Sequence, residues 1–370
     1  MKSKAAPAFV NPVISFTKST NLARLLLNWF SENARDLPWR KTHDPYAIWI
    51  SEIMLQQTQV KTVISYWNRW MRDLPTIQSL AKAKSKKLLK LWEGLGYYTR
   101  VCNLQKTAQT VCEKHDGKFP DNFDEILSLP GIGRYTAGAI CSIAFNQPKP
   151  ILDGNVIRVL TRVFGISGKP REKKTNDYLW EVAKQLVNHA SYIKRPSSCS
   201  HLNQSLMELG ALICTPRQPK CLECPAMKLC IAYRENRVAE LPNLEKRVKA
   251  TKRYFVAFIV ENNGRFLVAQ RPAKIVNARL WEFPNVERAD GKIDGSLSPF
   301  FVPEKAAPIC TIQHSITRYR ITLEAFGATL LNQENTIRGK WLRVSELQKL
   351  AFPSAHRQIL EHLTARKCRN

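Results

Sequence analysis

Residues 129–140 read LPGIGRYTAGAI, and residues 151–165 read ILDGNVIRVLTRVFG. Gly131 and Gly133 stand two apart between helix-like runs, where they permit a tight turn with φ above zero. Such a turn exposes backbone N–H groups at the start of the next helix, and those donors together with the helix dipole suit a phosphate. Alone, a G-x-G of this kind also fits an ordinary helix–helix turn. Asp153 precedes a helix-like run, so local rules make it a helix N-cap.

Outward from this turn, the pattern from Ser19 to about Arg237 is helical. NLARLLLNWF, DPYAIWISEIMLQQTQV and KTVISYWNRWM carry apolar residues at three- and four-residue spacing. Breaks at Pro38, Pro75, Gly94, Gly96 and Pro130-Gly131 separate the runs. A polar stretch then follows, with a linker expected at 238–251. Beyond it RYFVAFIV and RFLVAQ read as strands joined by ENNG, a hairpin turn. RITLEAF and GKWLRV also read as strands, and SELQKL and SAHRQILEHL as helices, so the C-terminal part is α+β.

The chain has 370 residues, enough for one large domain or two ordinary ones, and 44% are hydrophobic, which argues against wholesale disorder. A net charge of +27 asks for a polyanionic partner, nucleic acid first and an anionic membrane surface second. No basic amphipathic helix with a bulky apolar face stands out, which favours nucleic acid; charge alone also fits a soluble basic protein. No apolar run of about 18 residues occurs, so no membrane span is expected. The N-terminus lacks a clear signal-peptide pattern, and a cytoplasmic protein is expected, nucleoid-associated if bacterial.

Of ten cysteines, four are tightly grouped: Cys214, Cys221, Cys224 and Cys230, in the spacing C-x6-C-x2-C-x5-C. Four thiolates this close suit one metal centre in a reducing compartment. Zinc accepts four cysteines tetrahedrally and a [4Fe–4S] cluster also takes four, so spacing alone leaves both open.

LPWR (37–40), SEIMLQQTQV (51–60), GLGYYTR (94–100), the LPGIG turn, LDGN and the cysteine loop after LNQSLMELGALIC together resemble the MutY family of adenine DNA glycosylases, within the endonuclease III superfamily. The resemblance covers nearly the whole chain. It implies a multidomain fold: an all-α helix-hairpin-helix glycosylase domain with an iron–sulfur cluster loop (18–237), the linker, and an α+β Nudix-like, MutT-like domain (252–370). By the same resemblance Gly131 and Gly133 form the DNA-binding hairpin, Glu52 is the general acid and Asp153 the second carboxylate, with Tyr135 and Asn155 supporting them. Arg35, Leu37, Trp39 and Gln204 line the adenine pocket. Gln57, Thr58 and Tyr97 lie beside the opposite, oxidised guanine. The four cysteines hold a [4Fe–4S] cluster. The implied partner is double-stranded DNA carrying adenine opposite 8-oxoguanine or guanine, bound by a monomer with no membrane involved.

Without the resemblance, Glu52 is a solvated helix residue, the glutamines a polar helix face and Tyr97 a core tyrosine. RLWEFPN (279–285) and WLRVSELQKLAFPSAHRQIL (341–360) resemble the family's C-terminal domain, but the chain has no Nudix box, so pyrophosphate hydrolysis is not expected. Where the family often has Phe-Ser-His, this sequence has Ile316, Thr317 and Arg318; Thr317 keeps a hydroxyl. The competing enzyme is a bifunctional glycosylase/lyase like endonuclease III, which needs a lysine nucleophile where this chain has Tyr135. A non-catalytic DNA-binding protein with a redox-sensing cluster is the third alternative. It gives no reason for Glu52 and Asp153 both to sit in their motifs.

Overall fold

The computed structural model describes residues 15–245, 249–273, 275–288, 300–331 and 339–367. It divides into two compact units, 1–81 with 104–246, and 82–103 with 247–370.

The first unit is built of helices. α1 (Phe16–Asn33) starts at Ser15, whose side chain accepts from the Lys18 N–H, and it buries Leu22, Ala23, Leu26, Leu27 and Phe30 at helical spacing. Then come α2 (Pro45–Leu55), α3 (Val60–Asp73) and α4 (Ile77–Lys82). In α5 (Ser85–Trp92) the chain belongs to the second unit, and α6 (Thr99–Lys114) returns it to the first. α7 (Phe123–Ser128), α8 (Arg134–Phe145), α9 (Gly154–Phe164), α10 (Lys173–Ser191) and α11 (Ser198–Leu212) follow. α9 is capped by Asp153, and α1, α9, α10 and α11 share one apolar core. The short α12 (Ile231–Arg234) closes the cysteine loop. Among the described residues no helix is long and apolar enough to cross a membrane.

The second unit is mixed. β1 (Thr251–Ile259) lies mid-sheet, antiparallel to β5 (Asn285–Arg288) and parallel to β8 (Tyr319–Leu330); β8 also pairs with β6 (Phe301–Pro303) and β7 (Cys310–Ile316). The other sheet holds β2 (Glu261–Asn262), β3 (Arg265–Gln270), β4 (Trp281–Glu282) and β9 (Lys340–Arg343). The ENNG turn joins β2 to β3, with Asn263 and Gly264 both at positive φ as a tight hairpin requires. Successive β1 residues point to opposite faces, so Ala257 and Ile259 enter one core while Val256 and Phe258, with Val260 just past the strand, enter another. After the short α13 (Val344–Leu347), α14 (Ser354–Lys367) packs on the first of these cores through Ala355, Ile359, Leu360 and Leu363.

Two boundaries differ from the sequence expectation. Residues 82–103 lie within the expected range 18–237, yet they pack with the C-terminal unit. There Lys90 Nζ donates to the Leu350 carbonyl (2.9 Å) and Glu93 accepts from the Phe352 N–H (2.9 Å), satisfying backbone groups of an irregular stretch. The expected linker is also partly ordered structure. Leu241 is buried and its carbonyl accepts from Arg162 Nε (2.8 Å), while β1 already begins at Thr251.

Glu93→Ala is expected to accelerate amide hydrogen exchange at Phe352 and to lower stability by about 1–3 kcal/mol, the usual cost of stranding a buried donor. Glu93→Gln, which keeps an acceptor, should recover most of the protection.

Candidate active site

The LPGIG segment forms a turn in which Ile132 N–H reaches back to the Leu129 carbonyl (3.1 Å), with Pro130 and Gly131 at its corners. Gly131 has φ +77°, as the turn requires. Gly133 departs from the expectation of positive φ: it sits at φ −98° as the N-cap of α8, and a Cβ there would meet nothing within 4 Å. Neither backbone strain nor crowding within the chain demands glycine at 133.

α8 carries Tyr135 on its first turn. The Tyr135 hydroxyl lies 2.7 Å from Glu52 Oε2, on α2, and 3.3 Å from Met207 Sδ, on α11. Asp153 accepts from Val156 N–H (2.8 Å) and from Asn155 Nδ2 (3.0 Å). Arg158, one turn into α9, donates to Asn155 Oδ1 (2.8 Å), to the Gly210 carbonyl (2.7 Å) and to the Cys214 carbonyl (2.7 Å). Gly210 is required by close approach, because a Cβ there would stand 2.6 Å from the Asn155 Cβ. Asp153 is thus the N-cap that local rules expect, but one that is also fixed from the side.

Burial acts on both carboxyls, which differ in their partners. Burial, above all, raises Glu52 to a pKa of about 7; the Tyr135 hydrogen bond and the Arg40 charge oppose this, and the Asp153 charge adds to it. Burial also raises Asp153, but the Val156 N–H, Asn155 and Arg158 all favour its ionised form. Tyr135 is pushed well above the usual phenol range, first by burial and then by the two carboxylates, so its hydroxyl stays protonated.

The other expected pocket residues are placed as follows. Leu37 and Trp39 are buried, and Trp39 meets Trp67 edge-on at 6.2 Å between ring centroids. Arg35 is occupied by Glu208, in a pair of 2.7 Å. Gln204 is buried and donates to Ser200 Oγ (3.0 Å). The glutamines do not form a helix face: α2 ends at Leu55, and Gln57 lies beyond it, exposed, at φ +60°. Thr58 follows in the same turn, its N–H bonded to the Leu55 carbonyl (3.3 Å). Tyr97 and Thr317 belong to the second unit. Tyr97 is 46% exposed rather than a core tyrosine, with φ +46°, and Thr317 sits at φ +52° in the β7–β8 turn beside Arg318, which donates to the Tyr319 hydroxyl (3.1 Å).

Sequence reading missed Arg40, Arg158, Met207, Glu208 and Gly210. A glutamate within the apolar run LNQSLMELGALIC was the one available signal, since a charge on a buried helix face needs a partner.

Cys214, Cys221, Cys224 and Cys230 line one small cavity together with Arg162, whose Nη1 lies 3.4 Å from Cys214 Sγ. Burial, then mutual repulsion among the four, raises Cys224 to about 12 when no metal shares its charge, with the Ala226 N–H opposing. Among the described residues no metal-ligating side chains are grouped tightly enough for a single ion.

These features define a helix-hairpin-helix DNA glycosylase fused to a Nudix-type domain. Residues 50–185 match the HhH-GPD superfamily of base excision DNA repair proteins, and residues 255–362 match the NUDIX domain. A thermostable thymine-DNA glycosylase is similar in structure, with a TM-score of 0.53 and 31% identity over 59% of this chain and 98% of that one. An adenine DNA glycosylase of Rattus norvegicus is 35% identical over 92% of this chain and 77% of its own length. One from Buchnera aphidicola is 36% identical over 92% of this chain and 97% of its own. The chain belongs to the adenine DNA glycosylase, or MutY, family.

Carboxyl-resolved titration, by difference infrared spectroscopy or carbon NMR, should find one group ionising near pH 7 that disappears in Glu52→Gln. In Tyr135→Phe this group should titrate at higher pH, because a hydrogen bond to the ionised form is lost. An unmoved titration would show that the phenol does not hold Glu52.

Proposed function

We propose that the chain removes adenine mispaired with 8-oxoguanine or guanine in duplex DNA, leaving an intact abasic site. The observation that carries this reading is the buried Glu52–Tyr135 pair beside Asp153: one carboxyl raised to about 7 and held by a phenol, the other held by the Val156 N–H and the Asn155 amide. Adenine is inaccessible inside the stack, so it is flipped out to reach the site. Glu52, half-protonated near neutrality, donates its proton to N7 and neutralises the departing base. Asp153, which accepts from the Val156 N–H and the Asn155 amide, acts in its ionised form and stabilises the oxocarbenium character of the sugar. Asn155 fixes the Asp153 carboxylate, and Tyr135 holds Glu52 while hydrogen bonding near the sugar. Glu52, now ionised, then activates water.

Leu37, Trp39 and Gln204 shape the adenine pocket in this reading, with Arg35 supporting them. Gln57, Thr58, Tyr97 and Thr317 contact the mispair. Three of these four, Gln57, Tyr97 and Thr317, hold left-handed backbone at exposed turns. Gly131 and Gly133 place N–H donors against a DNA phosphate. Cys214, Cys221, Cys224 and Cys230 hold a [4Fe–4S] cluster, consistent with the family and with the cavity they surround. When bound, the cluster supplies structure to the loop and takes no part in base removal. The protein acts as a monomer in the cytoplasm. Tyr135 stands where a lyase carries its lysine, and a phenol forms no imine.

Duplexes carrying adenine opposite 8-oxoguanine, guanine, cytosine or thymine, analysed with and without alkali, test this reading. Cleavage only after alkali, and only for the first two, is the expected result; nicking without alkali would favour the endonuclease III-like alternative. Single-turnover release should fall as pH rises through about 7, since the acid must be protonated. Glu52→Gln and Asp153→Asn should each slow release by about 10²–10⁴ while still binding the mispair. Purified protein should be brown from sulfur-to-iron charge transfer; colourless active protein with one zinc per chain would contradict the cluster assignment.

A further inference from the structure

Glu208 has no part in the chemistry above, yet its environment is the most heavily charged around the site. Its side chain is 1% exposed on α11, next to Met207, which touches the Tyr135 hydroxyl. Oε1 accepts from the Arg35 backbone N–H (3.0 Å), from Arg35 Nε (2.8 Å) and from Arg40 Nη1 (3.1 Å). Oε2 accepts from Arg35 Nη2 (2.7 Å) and Arg40 Nη2 (2.9 Å). Arg40 also donates to the Arg35 carbonyl (3.0 Å) and lies over the Phe30 ring. Both arginines are held by forked, paired bonds, the geometry that fixes a guanidinium in place. They bracket DLPW, the segment that buries Leu37 and Trp39.

We propose that Glu208 is a positioning residue for base release: its carboxylate clamps Arg35 and Arg40, holds the segment between them in one conformation, and offsets the Arg40 cation beside Glu52. This rests on the reading of Glu52 as the acid. The charged and titratable groups whose fields reach Glu52 are Tyr135 from α8, Asp153 at the start of α9 and Arg40 from the clamped segment. Arg40 is the cation of that set. With Glu208 ionised beside it, the two charges act on Glu52 largely as a dipole. Without Glu208, an uncompensated positive charge would favour ionised Glu52. The site would then lose its proton at lower pH. The arginine–carboxylate bonds hold Glu208 itself down to about 2 against the opposing effect of burial, so its charge is constant wherever the enzyme works.

The test is single-turnover adenine release by the full chain across the pH range around neutrality, with mispair affinity measured in parallel. Glu208→Gln should move the midpoint of the pH profile to lower pH by about one unit, roughly a tenfold loss of rate on the alkaline side, as expected for one added charge at an effective dielectric of about 20. The double variant Arg40→Gln with Glu208→Gln removes both charges; its midpoint should return toward that of the wild type although its rate stays low. Glu208→Asp keeps the charge but shortens the clamp, so its rate should fall with the midpoint unmoved. These two variants carry the test if Glu208→Gln does not fold. A double variant as shifted as the single one, or an aspartate variant with a moved midpoint, would overturn the electrostatic role. Wild-type rate and midpoint in Glu208→Gln, in a protein whose Glu52→Gln variant is inactive, would overturn the proposal alone. Wild-type release by Glu52→Gln would instead overturn the reading beneath it, and the proposal with it.

Discussion

Burying two carboxyls in a helical core is the constraint from which the rest of this site follows. An ionised group taken out of water without partners costs several kcal/mol or more, so each charge must be matched locally or shed its charge by shifting pKa. Asp153 is matched: the start of α9 supplies the Val156 N–H and the Asn155 amide, and Arg158 steadies Asn155 from the next turn. Arg158 also donates to the Gly154 carbonyl in its own helix and to the carbonyls of Gly210 and Cys214, at the end of α11 and the start of the cysteine loop. The cap of one helix, the close approach of another and the entry to the cysteine loop are thereby fixed by a single guanidinium. Only a glycine at 210 lets the two helices come near enough for those bonds to form.

What was legible in the sequence divides along physical lines. Local chemistry was readable: the Asp153 cap, the Pro130-Gly131 corner and the Asn263-Gly264 hairpin each depend on residues adjacent in the chain. The burial of both core faces of β1 was harder to read, because RYFVAFIV is a continuous apolar run with no alternation to reveal two sides. Gln57 was misread as helical because amides have no strong preference against helix; the α2 helix nevertheless ends at Leu55 and the chain turns left-handed. The pairing of Glu208 with Arg35 and Arg40 joins positions 173 and 168 residues apart, and no periodicity reports on such a pair. The grouping of 82–103 with the C-terminal unit was hidden for the same reason, since it depends on Glu93 meeting a backbone N–H 259 residues away.

The second unit carries its own version of buried charge. His356 is buried and driven to a pKa of about 3, by burial first and by the nearby Arg271 and His314, so it is neutral and its Nδ1 accepts from the Phe283 N–H (3.3 Å). Arg271 pairs with Glu282, and the His356 ring stacks with Phe283. His356 Nε2 also lies 3.7 Å from Glu282 Oε2, which ties Arg271, Glu282 and His356 together.

Comparison of two glutamates in the first unit shows how little the residue type decides. Glu52 and Glu208 are both almost fully buried, and burial alone would raise both. Glu208 receives five hydrogen bonds from two arginines and is drawn down to about 2. Glu52 receives one, from a neutral phenol, and stands near an anion, so it rises to about 7. The first can never release or accept a proton at neutral pH, and the second does so readily. Glu208, kept ionised by the arginines, is in turn what keeps the Arg40 positive charge from acting on Glu52 uncompensated. Structural and proton-transferring roles are therefore assigned by the partners each carboxyl is given, and they depend on each other: a glutamate held permanently charged is what leaves its neighbour free to titrate.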